Sequence, residues 1–317
     1  MNAVINEMAS EVREDVIHRV REEIARQGLT QSQVAREAGV STSSLAQVLS
    51  GTYAADPTRV IQRLERWLAR LKQHHEAPRL PEMPPFVETP TAERIIAALG
   101  YAQIAADIVV VYGGAGTGKT TAAKEYARRF SSVWIATMSP AMAGVNPSLE
   151  EVCLALGFRE LPSGAARMQR EIAARVVGTG GLLIIDEAQH LSVAALDAIR
   201  WVHDQAGIGL ALMGNDLIYA RMTGTRSVFL DRLFSRIGRR LRLPRATKDD
   251  VTRLANANGI HDGSEIEFLC QIGQQAGALR QVTKVIRLAR MMAASRQEEL
   301  RLTHLRSAHA DLTGVPA

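Results

Sequence analysis

Aromatic residues make up only 4% of this 317-residue chain, so its cores must be built from aliphatic side chains. Cysteine is scarcer still: Cys153 and Cys270 stand far apart with no C-x-x-C spacing. That argues against a disulfide framework and against a structural zinc site, and a reducing cytoplasm is the natural setting. No uninterrupted apolar run approaches the roughly 18 residues of a membrane span, and the N-terminus lacks the basic-then-apolar pattern of a signal segment, so no membrane association is expected. Proline is rare outside one place, HHEAPRLPEMPPFVETP at residues 74–90, which holds five of the eleven. Such a stretch cannot sustain a helix or a central strand and reads as an extended linker. The 46% hydrophobic content fits ordinary globular cores, and the net charge of +5 with a pI near 9.5 is a modest excess that suits a polyanionic partner.

The linker splits the chain into a helical domain over residues 1–73 and a larger region beyond residue 91. In the larger region, apolar β-type runs alternate with helix patterns: DIVVVYG, SVWIATM, GLLIIDE, GIGLALMGN and RRLRLP. That alternation predicts an α/β core over 92–246 with a parallel sheet. Past Thr247 the β-type runs stop, and residues 247–317 read as a small helical bundle.

Between the first two runs lies GGAGTGKT, Gly113 to Thr120, which satisfies G-x-x-x-x-G-K-[ST] in the strand–loop–helix context that pattern requires. Glycines let the backbone turn tightly and present its N–H groups to phosphate, and the next helix adds its positive dipole end. Gly113, Gly114, Ala115, Gly116, Thr117, Gly118, Lys119, Thr120 and Thr121 are the predicted nucleotide-binding residues. Lys119 would reach the β- and γ-phosphates of ATP, and the Thr120 hydroxyl would bind Mg2+. GLLIIDEAQHL is a buried-strand pattern ending in two acids: Asp186 for the Mg2+ shell and Glu187 to polarise an attacking water. Paired acids imply hydrolysis as well as binding. Asn215, closing GIGLALMGN, offers an amide to that water or to a γ-phosphate oxygen.

The order of these pieces, followed by FSRIG and GALRQV, resembles an AAA+ ATPase from about residue 92 to 313. The resemblance implies that Asn215 is sensor 1, that the lid's sensor 2 is Arg280, and that Arg236 acts in trans on a neighbouring subunit, with Arg232 in LDRLF a second candidate. Such an arginine accelerates hydrolysis by factors of about 10³ to 10⁵, so hydrolysis would require a homo-oligomer. SRIGRRLRLPR holds more arginines than one catalytic role explains, and Arg239 and Arg240 are candidates for DNA contact. Basic faces of the lid at Lys284, Arg287 and Arg290 are an alternative DNA surface. Tyr101 and Asp107, on the approach to the phosphate loop, lie where an adenine pocket often forms in such ATPases.

LTQSQVAREAGVSTSSLAQVLSG resembles a repressor-type helix-turn-helix within residues 13–72. Thr30 is placed to cap the first helix with Gln33 completing a capping box, Gly39 makes the turn, and Ser41 caps the second helix. By that resemblance Thr42, Ser43, Ser44 and Gln47 would reach the groove. No Lys or Arg occurs from Ser41 to Gly51, so weak or shape-level recognition of double-stranded DNA is expected. A bundle serving protein contacts is the other reading. Arg59, Arg63, Arg66 and Arg70 form a stripe that is either a solvated face or a phosphate track.

This domain order, with DEAQHL in the core, resembles the phage Mu B transposition family. The resemblance implies assembly on DNA in the ATP state, largely sequence-independent target selection, and activation of a DDE transposase. An ATP-switched transcriptional regulator and a scaffold ATPase that binds no DNA are the alternatives.

Overall fold

The computed structural model describes residues 2–76, 84–218 and 236–314, and the chain divides into two compact units, one up to residue 80 and one from residue 81.

The first unit is all helical: α1 (Asn2–Gln27), α2 (Gln31–Ala38), α3 (Thr42–Ser50) and α4 (Thr58–Glu76). The expected caps form. Gln33 N donates to the Thr30 hydroxyl while Thr30 N donates to the Gln33 side chain at 2.8 Å, and Ser44 N donates to the Ser41 hydroxyl at 3.0 Å. Val16, Val20, Val34, Leu45 and Leu64 fill the core beside one aromatic, Trp67, whose indole N–H donates to Glu37 at 3.0 Å. Two members of the arginine stripe have structural work: Arg63 donates to the Gly39 carbonyl and Arg70 to the Glu37 carbonyl, satisfying the end of α2.

The second unit opens with α5 (Pro90–Ala105) and alternates strand and helix: β1 (Ile108–Gly113), α6 (Lys119–Arg129), β2 (Val133–Thr137), α7 (Val145–Ala155), α8 (Ala165–Val176), β3 (Leu182–Asp186), α9 (Val193–Ala206), β4 (Gly209–Gly214) and β5 (Ile237–Leu243). All strand pairings are parallel and the order is β2-β3-β4-β1-β5. Central strands β1, β3 and β4 are buried throughout, which is why each reads as a continuous apolar run. Their side chains alternate between two aliphatic cores. Val109, Val111, Leu182 and Ile184 pack with α5 and α6, whereas Ile108, Val110, Leu183 and Ile185 pack with α7, α8 and α9. Cys153 and Cys270 are both free and buried, and burial pushes the Cys153 thiol up to about 11.

A bundle follows, of α10 (Lys248–Ala257), α11 (Gly263–Gly273), α12 (Ala278–Ser295) and α13 (Leu302–Thr313), around Val251, Leu269, Val282, Val285 and Leu305. It is tied to the start of α5 by Asp250, which has no exposed surface. Its carboxylate accepts from Thr91 N (2.9 Å), the Thr91 hydroxyl (2.7 Å), Thr247 N (2.9 Å) and the Thr247 hydroxyl (2.8 Å).

The described residues at the two ends of the proline-rich stretch, Glu76 and Pro90, are helical. Helix α4 runs on to Glu76, and α5 starts at Pro90, capped by the Thr89 hydroxyl. Proline is excluded from helix interiors but favoured at the first helical position, and Pro90 uses that exception.

Candidate nucleotide site

Strand order brings the chemistry to one edge. Because β4 lies between β1 and β3, their C-terminal ends place the glycine loop, Asn215 and Asp186-Glu187 side by side. That edge is where a parallel sheet binds ligands. The loop needs its glycines for close approach as well as for turning: at Gly116 (φ +80°) a Cβ would stand 1.9 Å from the Gly277 carbonyl oxygen, so the first turn of α12 rests on bare backbone.

A cavity of about 610 Å³ opens over the loop. It is lined by residues 115–121 and Glu187 together with Phe86, Val87, Leu254 and Leu279. A glycine loop and apolar side chains in one cavity suit a polyphosphate carrying a base. Arg280, Lys284 and Arg287 of α12 add positive charge to its wall. The arrangement explains the state of Lys119: burial pushes its ammonium below the usual value, Glu187, Asp186 and Asp216 pull it back up, and Arg280 pushes it down. The Lys119 Nζ meanwhile donates to the Gly113 and Gly114 carbonyls, both at 2.9 Å.

The Thr120 hydroxyl donates to Asp186 Oδ2 at 2.6 Å, pairing two hard oxygen groups of the kind Mg2+ takes. Glu187 follows in a left-handed conformation, φ 55°. Its carboxylate accepts from the side-chain amide of Gln189, whose Oε1 in turn accepts from Asn215 N at 3.3 Å. Gln189 is buried, and Gly214 makes room for it: a Cβ there would stand 2.4 Å from Gln189 Oε1. This bridging glutamine sits inside DEAQHL but was not singled out from sequence, since a lone amide after two acids carries no spacing signal.

Asn215 does not line the cavity. Its Oδ1 accepts from Leu217 N at 2.9 Å, and its link to the site runs through Gln189.

Arg236 stands immediately before β5, at the sheet edge opposite the glycine loop, with about 20 Å of strand between them. It pairs with Asp204 at 2.9 Å and its side chain is 57% exposed, so it does not serve its own chain's cavity. Arg232 lies outside the described residues. The arginine cluster is largely engaged within the chain: Arg239 donates to the Ala97 carbonyl at 3.4 Å, Arg242 lies 3.8 Å from Asp216 and Arg245 donates to the Gln274 carbonyl at 3.0 Å. Arg240 is exposed on edge strand β5, where charge also discourages unwanted strand pairing.

Two expectations need correction. Lys284 and Arg287 face the cavity, and Arg290 donates to the Asn258 carbonyl, so this face of α12 is not a free DNA surface. Tyr101 and Asp107 bond to each other at 2.7 Å at the N-terminal end of β1, away from the cavity; its apolar walls come from Phe86, Val87, Leu254 and Leu279 instead. In the helical unit, Thr42, Ser43 and Gln47 are exposed and Ser44 is half-buried, its hydroxyl accepting from that of Ser41 at 2.7 Å.

Glycine loop, paired acids on β3 and an arginine-bearing helical lid over a sheet of this order define an AAA-type ATPase, here accompanied by a helix-turn-helix. Residues 103–222 match the family described as "AAA domain", residues 17–62 "Helix-turn-helix", and residues 235–312 "Mu B transposition protein, C terminal". The chain is 40% identical to the "ATP-dependent target DNA activator B" of Escherichia phage Mu, over 89% of its own length and 90% of that protein. It is 36% identical to the "Mu-like prophage FluMu DNA transposition protein B" of Haemophilus influenzae, over 85% and 94% respectively. The chain belongs to the Mu B family. Its fold also resembles the ORC2 protein of Aeropyrum pernix solved as ADPNP-ADP complexes, with a TM-score of 0.54 at 19% identity over 73% of this chain and 69% of that one. Among the described residues no helix is long and apolar enough to cross a membrane.

Proposed function

We propose that this ATPase assembles on double-stranded DNA in its ATP state, selects target DNA with little sequence preference, and activates a DDE transposase. One observation carries the reading: a single cavity gathers Lys119, Thr120, Glu187 and Arg280 in a chain of the Mu B family, two of whose members are named for DNA targeting or transposition. Thr120 and Asp186 would hold Mg2+, which on binding neutralises charge on the β- and γ-phosphates. Lys119 exchanges its carbonyl partners for phosphate oxygens, Glu187 orients and takes the proton of the attacking water, and Asn215 positions Glu187 through Gln189. Arg280 closes on the γ-phosphate from the lid. Arg236 leaves Asp204 for a neighbouring subunit's nucleotide, so turnover depends on a homo-oligomer. DNA contacts fall to Arg239, Arg240 and the exposed Thr42, Ser43 and Gln47.

The test is binding to two unrelated duplexes, short and long, with ATP, with ADP and without nucleotide, across a salt series. Equal, ATP-dependent binding that strengthens on the longer duplex and falls steeply with salt is expected. Preference for one duplex would favour a transcriptional regulator, and no binding in any state would leave a scaffold ATPase.

A further inference from the structure

Helix α12 turns more positive charge toward the cavity than the roles assigned so far use. Arg280, Lys284 and Arg287 are spaced four and three apart, so they share one face of the helix, and all three line the cavity. The stripe has a direction. The Gly277 carbonyl meets Gly116, so α12 starts at the glycine loop, and at 1.5 Å per residue Lys284 and Arg287 stand about 6 and about 10 Å beyond Arg280 along its axis. Among the described residues none of the three has an ion-pair or hydrogen-bond partner. Other cations of the same bundle are engaged: Lys248, Arg253 and Arg301 each pair with a glutamate, and Arg290 donates to the Asn258 carbonyl. Like charges at these spacings repel one another along a helix. Little in the cavity offsets them, since four cations, these three and Lys119, line it with one carboxylate, Glu187, and Asp186 stands behind Thr120.

We infer that Lys284 and Arg287 are nucleotide-binding residues that extend the grip of Arg280 on the polyphosphate, so that the lid favours a triphosphate over a diphosphate. The inference rests on the reading of this cavity as a nucleotide site. A triphosphate brings one more negative charge than a diphosphate, and the excess of cations over carboxylates lets the cavity take that charge without a further counterion. The glycine loop that holds the terminal phosphates is also where the stripe begins, so the added charge falls within its field. Both side chains are exposed, so each attraction is modest, screened by salt, and depends on charge more than on the exact shape of the head group.

The experiment is calorimetric binding of ATP and of ADP, each with Mg2+, to the full chain at several salt concentrations, for the parent, Lys284→Gln, Arg287→Gln and the double variant. Arg296→Gln removes an exposed cation that follows α12 and lies outside the cavity, and so controls for a general loss of positive charge. Each single substitution in the stripe is expected to weaken ATP about fivefold and ADP about twofold, the double variant to weaken ATP about 25-fold, and the losses to shrink as salt is raised. Lys284→Arg and Arg287→Lys keep the charge and should stay within about twofold of the parent. A double variant whose ATP affinity stays within about twofold of the parent would overturn the inference, as would equal losses for ATP and ADP or a loss matched by Arg296→Gln. DNA binding lost with ATP affinity intact would also overturn it and assign the stripe to DNA. If the parent binds neither nucleotide, the failure belongs to the ATPase reading instead.

Discussion

Replacing Asp250 by Asn tests the joint between core and lid. The carboxylate is inaccessible to solvent and accepts four hydrogen bonds, two from Thr91 at the start of α5 and two from Thr247 at the start of α10. Asparagine keeps the shape but turns an NH2 group toward donors and removes the charge from the bonds that remain. Losing a buried charged hub of this kind costs about 3 kcal/mol, which for a unit of this size is a fall in Tm of about 6–12 °C. The acid limb supplies a second readout. Burial pushes the Asp250 carboxyl up, but the Thr91 and Thr247 hydrogen bonds outweigh it and leave the group below its usual value. A depressed folded-state value means that the stabilisation is full above the unfolded value near ~3.9 and is lost as pH falls through the folded one. The melting gap between the parent and Asp250→Asn, followed by calorimetry from pH 7 down to about pH 3, is therefore expected to be widest near neutrality and to narrow below about pH 4. A gap under about 2 °C at pH 7, or one that does not narrow in acid, would refute the account of Asp250 as a charged hub.

Other substitutions probe the chemistry. Glu187→Gln is expected to keep ATP affinity within about twofold while lowering turnover by about 10² or more, since it removes the charge that draws the proton from water; turnover near the parent rate would remove Glu187 as the base. For Arg236→Ala, lost ATPase activity should return on mixing with Lys119→Ala chains, one supplying an intact cavity and the other an intact arginine, and a mixture no more active than its parts would end the trans assignment. Gly116→Ala would place a methyl carbon 1.9 Å from the Gly277 oxygen, so weakened ATP binding with a displaced lid is expected, read by calorimetry and by proteolysis of the lid; parent-like affinity would show that this contact is dispensable.

The five strands could be read in advance because buried parallel strands carry unbroken apolar runs, and the glycine loop because its conformation admits few other residues. What escaped depends on which way a face turns. Arg280, Lys284 and Arg287 share one side of α12 by helical spacing, but whether that side meets DNA or a cavity is settled only by how the lid packs. Phe86 and Val87 were hidden by the prolines around them. Gln189 does its work through tertiary hydrogen bonds, and those leave no period in the chain.

The meeting of Gly116 with Gly277 has a mechanical consequence. Two backbones touching without side chains form a smooth bearing, whereas the four bonds at Asp250 form a pivot. The lid is thus tied to the core at Asp250 and rests on the glycine loop at Gly277 with no side chain between them.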